Sequence, residues 1–90
     1  MSTLTLAVDP IATNVEFSDA MLHVTFEDGR ELSVPIEWFP RLRDASTADR
    51  NNWRLIGRGE GIHWPELDED ISVEGLLAGN GSLKARRNAA

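Results

Sequence analysis

Met21-Leu22-His23-Val24-Thr25-Phe26-Glu27-Asp28-Gly29-Arg30-Glu31-Leu32-Ser33-Val34 is the stretch that decides the fold. Leu22, Val24 and Phe26 alternate with His23 and Thr25, the two-residue period of a strand with one buried face. Asp28-Gly29 supplies a turn pair in which positive φ is tolerated, and Leu32 and Val34 then repeat the alternation on the way back. Upstream, Asn14-Val15-Glu16-Phe17 precedes a polar Ser18-Asp19-Ala20 turn. The three segments predict an antiparallel meander over residues 14–34, ended by Pro35, which cannot donate to a ladder.

Beyond Pro35 the elements shorten. Ile36-Glu37-Trp38-Phe39 reads as one helical turn stopped by Pro40 that lays Trp38 or Phe39 on the sheet. Ser46 or Thr47 can cap a short helix reaching about Asn52, with Asp49 near its positive end. Trp53-Arg54-Leu55-Ile56 reads as a further strand. Gly57, Gly59 and Gly61 then alternate, leaving one face of an extended segment without side chains and permitting close backbone approach or a bulged loop. Ile62-His63-Trp64 is a short apolar return closed by Pro65. Ser72 is a candidate N-cap for a helix over 73–78, with Gly79 as its terminator. The expectation is a single α+β domain over residues 1–79: a small antiparallel meander sheet extended by later strands, with short helices packed on one side. Residues 80–90 read as a flexible basic tail.

Ninety residues allow one domain, and 41% hydrophobic with 27% charged residues are globular proportions. The absence of cysteine excludes disulfides, thiolate metal sites and a thiol nucleophile. The first ten residues carry no base, and no apolar run approaches the roughly 20 residues of a bilayer span. These features predict a cytoplasmic protein without membrane association.

Charge is distributed in blocks. Residues 1–40 carry −6, residues 41–58 carry +3, residues 59–75 carry −6 and residues 76–90 carry +3, for a net −6. An acidic surface disfavours generic phosphate binding and favours a basic partner. The acidic run Glu66, Asp68, Glu69, Asp70 and Glu74 invites a calcium-loop reading. That reading fails because Val73 holds the sharp-turn glycine position and Gly79 the closing glutamate position. Gly57-Arg58-Gly59-Glu60-Gly61 leads into no helix and has no Walker lysine, so it is not a phosphate loop. His23 falls on the polar side of its strand and His63 between apolar neighbours, and no spacing selects either as a base. No catalytic, cofactor or metal residue is assigned, and the chain reads as a non-enzyme. Trp38, Trp53 and Trp64 are core candidates, any of which can serve instead as a contact anchor. Arg41, Arg43, Arg50, Arg54 and Arg58 lie in the same central third.

Gly59 to Gly79, together with the hairpin and Val34-Pro35-Ile36-Glu37-Trp38-Phe39-Pro40-Arg41-Leu42, resembles the bacterial domain-of-unknown-function family 2442. The likeness spans residues 8–79, and its most specific element is the Trp-Pro-x-Leu-Asp-x-Asp-Ile run from Trp64 to Ile71. The resemblance implies a small protein often encoded beside a second one, in pairs regarded as type II toxin–antitoxin modules. It implies no catalytic residues. Some relatives append a helix-turn-helix domain, whereas eleven residues follow Gly79 here. The expected function is a protein-interaction module, antitoxin-like, that binds a small partner through Trp53, Arg54, Glu66, Asp68, Glu69 and Asp70. The alternative is a nucleic-acid-associated transcriptional regulator, acting as a homodimer through Lys84, Arg86 and Arg87.

Overall fold

A computed structural model describes residues 11–79. The tail assigned to residues 80–90, with Lys84, Arg86 and Arg87, lies outside them, as does the start of the predicted domain. The meander forms with β1 at Ala12–Ser18, β2 at Met21–Phe26 and β3 at Glu31–Pro35, in the order β1-β2-β3. Both hairpins follow from their turn residues. Asp19 and Ala20 take φ of 49° and 65°, the paired left-handed conformation of a two-residue turn between Ser18 and Met21. The second turn is wider: Gly29, at φ 95°, closes a three-residue loop in which its N–H donates to the Phe26 carbonyl. In β1 the register slips between Ala12 and Asn14, a bulge that turns both Ala12 and Val15 inward.

The later strands build a second sheet rather than lengthening the first. β4 at Arg54–Ile56, β5 at Gly61–Trp64 and β6 at Glu69–Ser72 pair antiparallel in that order. Two features separate the sheets. Pro35 ends β3, and the chain then runs through a 3-10 turn at Ile36–Trp38, α1 at Pro40–Arg43 and α2 at Thr47–Arg50 before β4 begins. At the other edge, β1 meets a turn instead of a strand: the Ala12 N–H donates to the Gly59 carbonyl at 2.8 Å. Pro40 stops the 3-10 turn as expected and, at the first helical position, also starts α1. Ser46 Oγ accepts from the Asp49 N–H at 3.1 Å, so the predicted cap is correct for a helix that ends at Arg50. Ser72 Oγ likewise accepts from the Gly75 N–H at 2.9 Å and caps α3, Val73–Leu77.

The inner faces of the two sheets and the helices share one core. Leu22, Phe39, Leu42, Ile62, Trp64 and Val73 are fully buried in it, and Phe17 and Trp64 meet edge-on with ring centroids 6.3 Å apart. Trp38 and Trp53 are half-buried against this core. Trp64 also satisfies its polar handle, donating Nε1–H to the Arg50 carbonyl at 2.8 Å.

Candidate functional site

The Trp64–Ile71 run is where the sequence motif and the fold meet. Trp64 and Ile71 point into the core. Pro65 occupies the second position of a turn in which the Leu67 N–H donates to the Trp64 carbonyl, a place that its fixed φ suits. Asp68 completes the loop at φ 52°, a left-handed conformation that Asp accepts more readily than most residues. Arg41, from the other motif segment, donates Nη1–H to the carbonyls of Leu67 at 3.2 Å and Asp68 at 2.7 Å. Its contact with the Asp68 carboxylate is longer, 3.6 Å, and that carboxylate is 93% exposed. The guanidinium therefore grips backbone first and charge second.

Glu69 corrects the predicted contact surface. The sequence assigned Glu66, Asp68, Glu69 and Asp70 together to the partner contact, but Glu69–Ser72 is a strand, and alternation turns Glu69 inward beside Ile71, where it is 4% exposed. Trp53 is also partly withdrawn into the core. Glu66 and Asp68 remain exposed in the β5–β6 loop.

The solvent face of the second sheet gathers the remaining candidates. Arg54, His63 and Asp70 are direct register partners across β4, β5 and β6. His63 Nδ1 and Asp70 Oδ1 lie 2.5 Å apart, with the imidazole 33% and the carboxylate 68% exposed. Arg54 is exposed at the outer strand. The next row is Ile56, Gly61 and Ser72, and Ile56 is 43% exposed. Gly61 leaves little room there, since a Cβ would come within 3.2 Å of both Ile56 Cδ1 and the Ile71 carbonyl, so that the neighbours would have to give by a few tenths of an ångström. His63 and Ile56 were not among the predicted contact residues. Their signal was the outward position of each in its alternating strand, which becomes readable only once the register is known.

The central arginines do not form one free face. Arg50 donates Nε–H and Nη2–H to the carbonyls of Leu42 and Arg43, both at 2.7 Å, and sits 5.9 Å from the Phe17 ring centre. Arg43 is bound to Asp44, whose hydrogen bond raises the Arg43 pKa and lowers that of Asp44. At the hairpin tip, the Arg30 backbone N–H and then its guanidinium hold the Asp28 carboxyl below the ordinary range. Among the described residues no group of His, Asp or Glu is arranged to hold a metal ion, and no helix is long and apolar enough to cross a membrane.

Two three-stranded antiparallel sheets around a shared core, with a motif loop clamped by an arginine, define a small α+β domain whose signature residues serve its architecture. The chain belongs to the family described as protein of unknown function (DUF2442), whose profile matches residues 12–82. It is similar to a crystal structure of a protein of unknown function from Rhodospirillum rubrum, at 31% identity and a TM-score of 0.74, covering 87% of this chain and 96% of that one. The fold is also that of an uncharacterised Chromobacterium violaceum protein solved by NMR, at 21% identity and a TM-score of 0.74, covering 98% of this chain and 83% of that one. No curated protein matches the chain.

Proposed function

We propose that this protein is an antitoxin-like interaction module that binds a small basic protein on the solvent face of its second sheet. The supporting observation is Ile56. A large aliphatic side chain 43% exposed on a three-residue edge strand, beside exposed Arg54 and above a glycine, is the apolar centre with polar surround that interfaces favour. Residues 11–79 carry six arginines against fourteen carboxylates, a net −8, which attracts a partner of opposite charge over a distance of about a Debye length, roughly 8–10 Å. Glu66 and Asp68, at one end of the same sheet, add to that field. Binding of this kind requires no catalytic group.

The test is co-expression with the protein encoded next door, followed by affinity measurement on Asp70→Lys and Ile56→Arg variants, both of which oppose a basic partner, with melting curves that match wild type. Each variant is expected to weaken the complex by tenfold or more, about 1.4 kcal/mol. Unchanged affinity in both would remove this face from consideration.

A further inference from the structure

The geometry points to a second site on the opposite sheet: Ser18, His23 and Ser33 form a nucleophile, base and positioning residue for hydrolysis of a small carboxylic ester. Ser18 Oγ lies 2.7 Å from His23 Nε2, and His23 Nδ1 lies 2.6 Å from Ser33 Oγ. The three residues come from β1, β2 and β3 in turn, on the solvent face of the meander, so the register fixes the chain of contacts. A hydroxyl joined to an imidazole whose second nitrogen is held by another group is the arrangement that activates a serine. In the tautomer with its proton on Nδ1, His23 donates to Ser33 Oγ and leaves Nε2 free to accept from Ser18.

A further observation concerns the backbone beside Ser18. Immediately after Ser18, Asp19 and Ala20 take left-handed conformations, and neither N–H donates to another backbone group among the described residues. Unused N–H groups beside a nucleophile are the donors that a developing oxyanion needs.

In the reaction, Ser18 Oγ attacks the ester carbonyl carbon while its proton passes to His23 Nε2. The Asp19 and Ala20 N–H groups receive the negative oxygen. The carbon–oxygen bond to the alcohol breaks, and His23 returns the proton to the departing alkoxide. Water, deprotonated by Nε2, then cleaves acyl-Ser18, releasing the carboxylic acid and restoring the hydroxyl. The sum is ester plus water to acid plus alcohol.

The experiment is labelling of the full chain with a fluorophosphonate, with the modified residue located by mass spectrometry, alongside hydrolysis of p-nitrophenyl acetate. Wild-type protein is expected to label on Ser18. Ser18→Ala should lose that label, and His23→Gln should slow it by a hundredfold or more, the low end of general-base contributions of about 10²–10⁴. Ser33→Ala should slow labelling about tenfold and Ser33→Thr should restore it, a rescue that a merely structural serine would not produce. No label on wild-type Ser18, or equal labelling of the His23→Gln variant, overturns the assignment. Location of the label on the wild-type chain decides the matter even where a variant folds poorly.

Discussion

Replacing Gly59 by alanine should destabilise this domain far more than the same change at Gly29 or Gly57, although all three glycines have positive φ. At Gly59 φ is 113°, and an added Cβ would stand 2.4 Å from the Ala12 carbonyl oxygen and 2.7 Å from Ile11 Cγ2. The first obstacle is backbone, held by the Ala12 to Gly59 hydrogen bond and by burial of Ala12 to 1%. Left-handed strain for a residue with a Cβ costs roughly 1–2 kcal/mol. Separating the hydrogen-bonded pair and leaving buried groups unmatched adds about 1–3 kcal/mol, so a total near 3–4 kcal/mol is expected. At Gly57 the Cβ meets Glu60 Oε1 at 2.3 Å, the free end of a side chain that can rotate away, and at Gly29 it meets nothing within 4 Å. Those two variants should therefore lose only the roughly 1–2 kcal/mol of backbone strain. Small domains carry about 0.05–0.15 kcal/mol of stability per residue, and each kcal/mol moves Tm by roughly 4–8 °C. Urea unfolding with matched m-values, supported by thermal melts, would separate the cases, with Gly59→Ala melting roughly 8–16 °C below the other two for a gap of about 2 kcal/mol. If Gly59→Ala falls within about 0.5 kcal/mol of Gly29→Ala, a gap that backbone strain alone would leave, the idea that this contact ties the sheets together is wrong.

Arg41→Ala should cost about 1–2 kcal/mol in chemical denaturation, the range for charge-assisted hydrogen bonds reduced for a partly exposed side chain, and Arg41→Lys should recover only part because an ammonium lacks the planar fork of donors. Ala20→Gly should raise stability by about 0.5–1 kcal/mol, since it relieves left-handed strain at φ 65° at a smaller cost in unfolded-chain entropy; a lower Tm would contradict the turn geometry. Asp44 titrates below the ordinary carboxylate pKa when folded because Arg43 hydrogen-bonds its charged form, so its contribution to stability is present above the unfolded pKa and is lost as pH falls through the folded one. Carboxyl NMR titration should show the Asp44 midpoint moving upward in Arg43→Ala; an unmoved midpoint would exclude the pairing in solution.

The meander was legible because its residues carry a two-residue hydrophobic period and turn chemistry, and both signals are local. The caps at Ser46 and Ser72 were legible for the same reason. The second sheet was only half legible. Glu69–Ser72 contains two acids in four residues, a composition that suits a helix start as well as an edge strand, and only pairing with Gly61–Trp64 settles the choice. The missed inward turn of Glu69 follows from that one omission. The solvent-face groupings of Arg54 with His63 and Asp70, and of His23 with Ser18 and Ser33, depend on strand register between segments up to 16 residues apart in the chain, counting from Arg54 to Asp70. Sequence spacing alone cannot express such groupings.

A signature that identifies a family need not mark its site, and this chain illustrates why. In the run from Trp64 to Ile71, Trp64 and Ile71 fill the core, the proline sets a turn, and Asp68 takes the left-handed position whose carbonyl Arg41 holds. Of the charged residues in that run, Glu69 is buried, while Glu66, Asp68 and Asp70 face solvent. Substitution within the structural subset should lower stability and any activity together. Substitution of Arg54, Ile56 or His23 on the solvent faces should instead separate function from folding, because little of the core depends on them. That separation is the physical criterion for distinguishing a recognition surface from the scaffold that presents it.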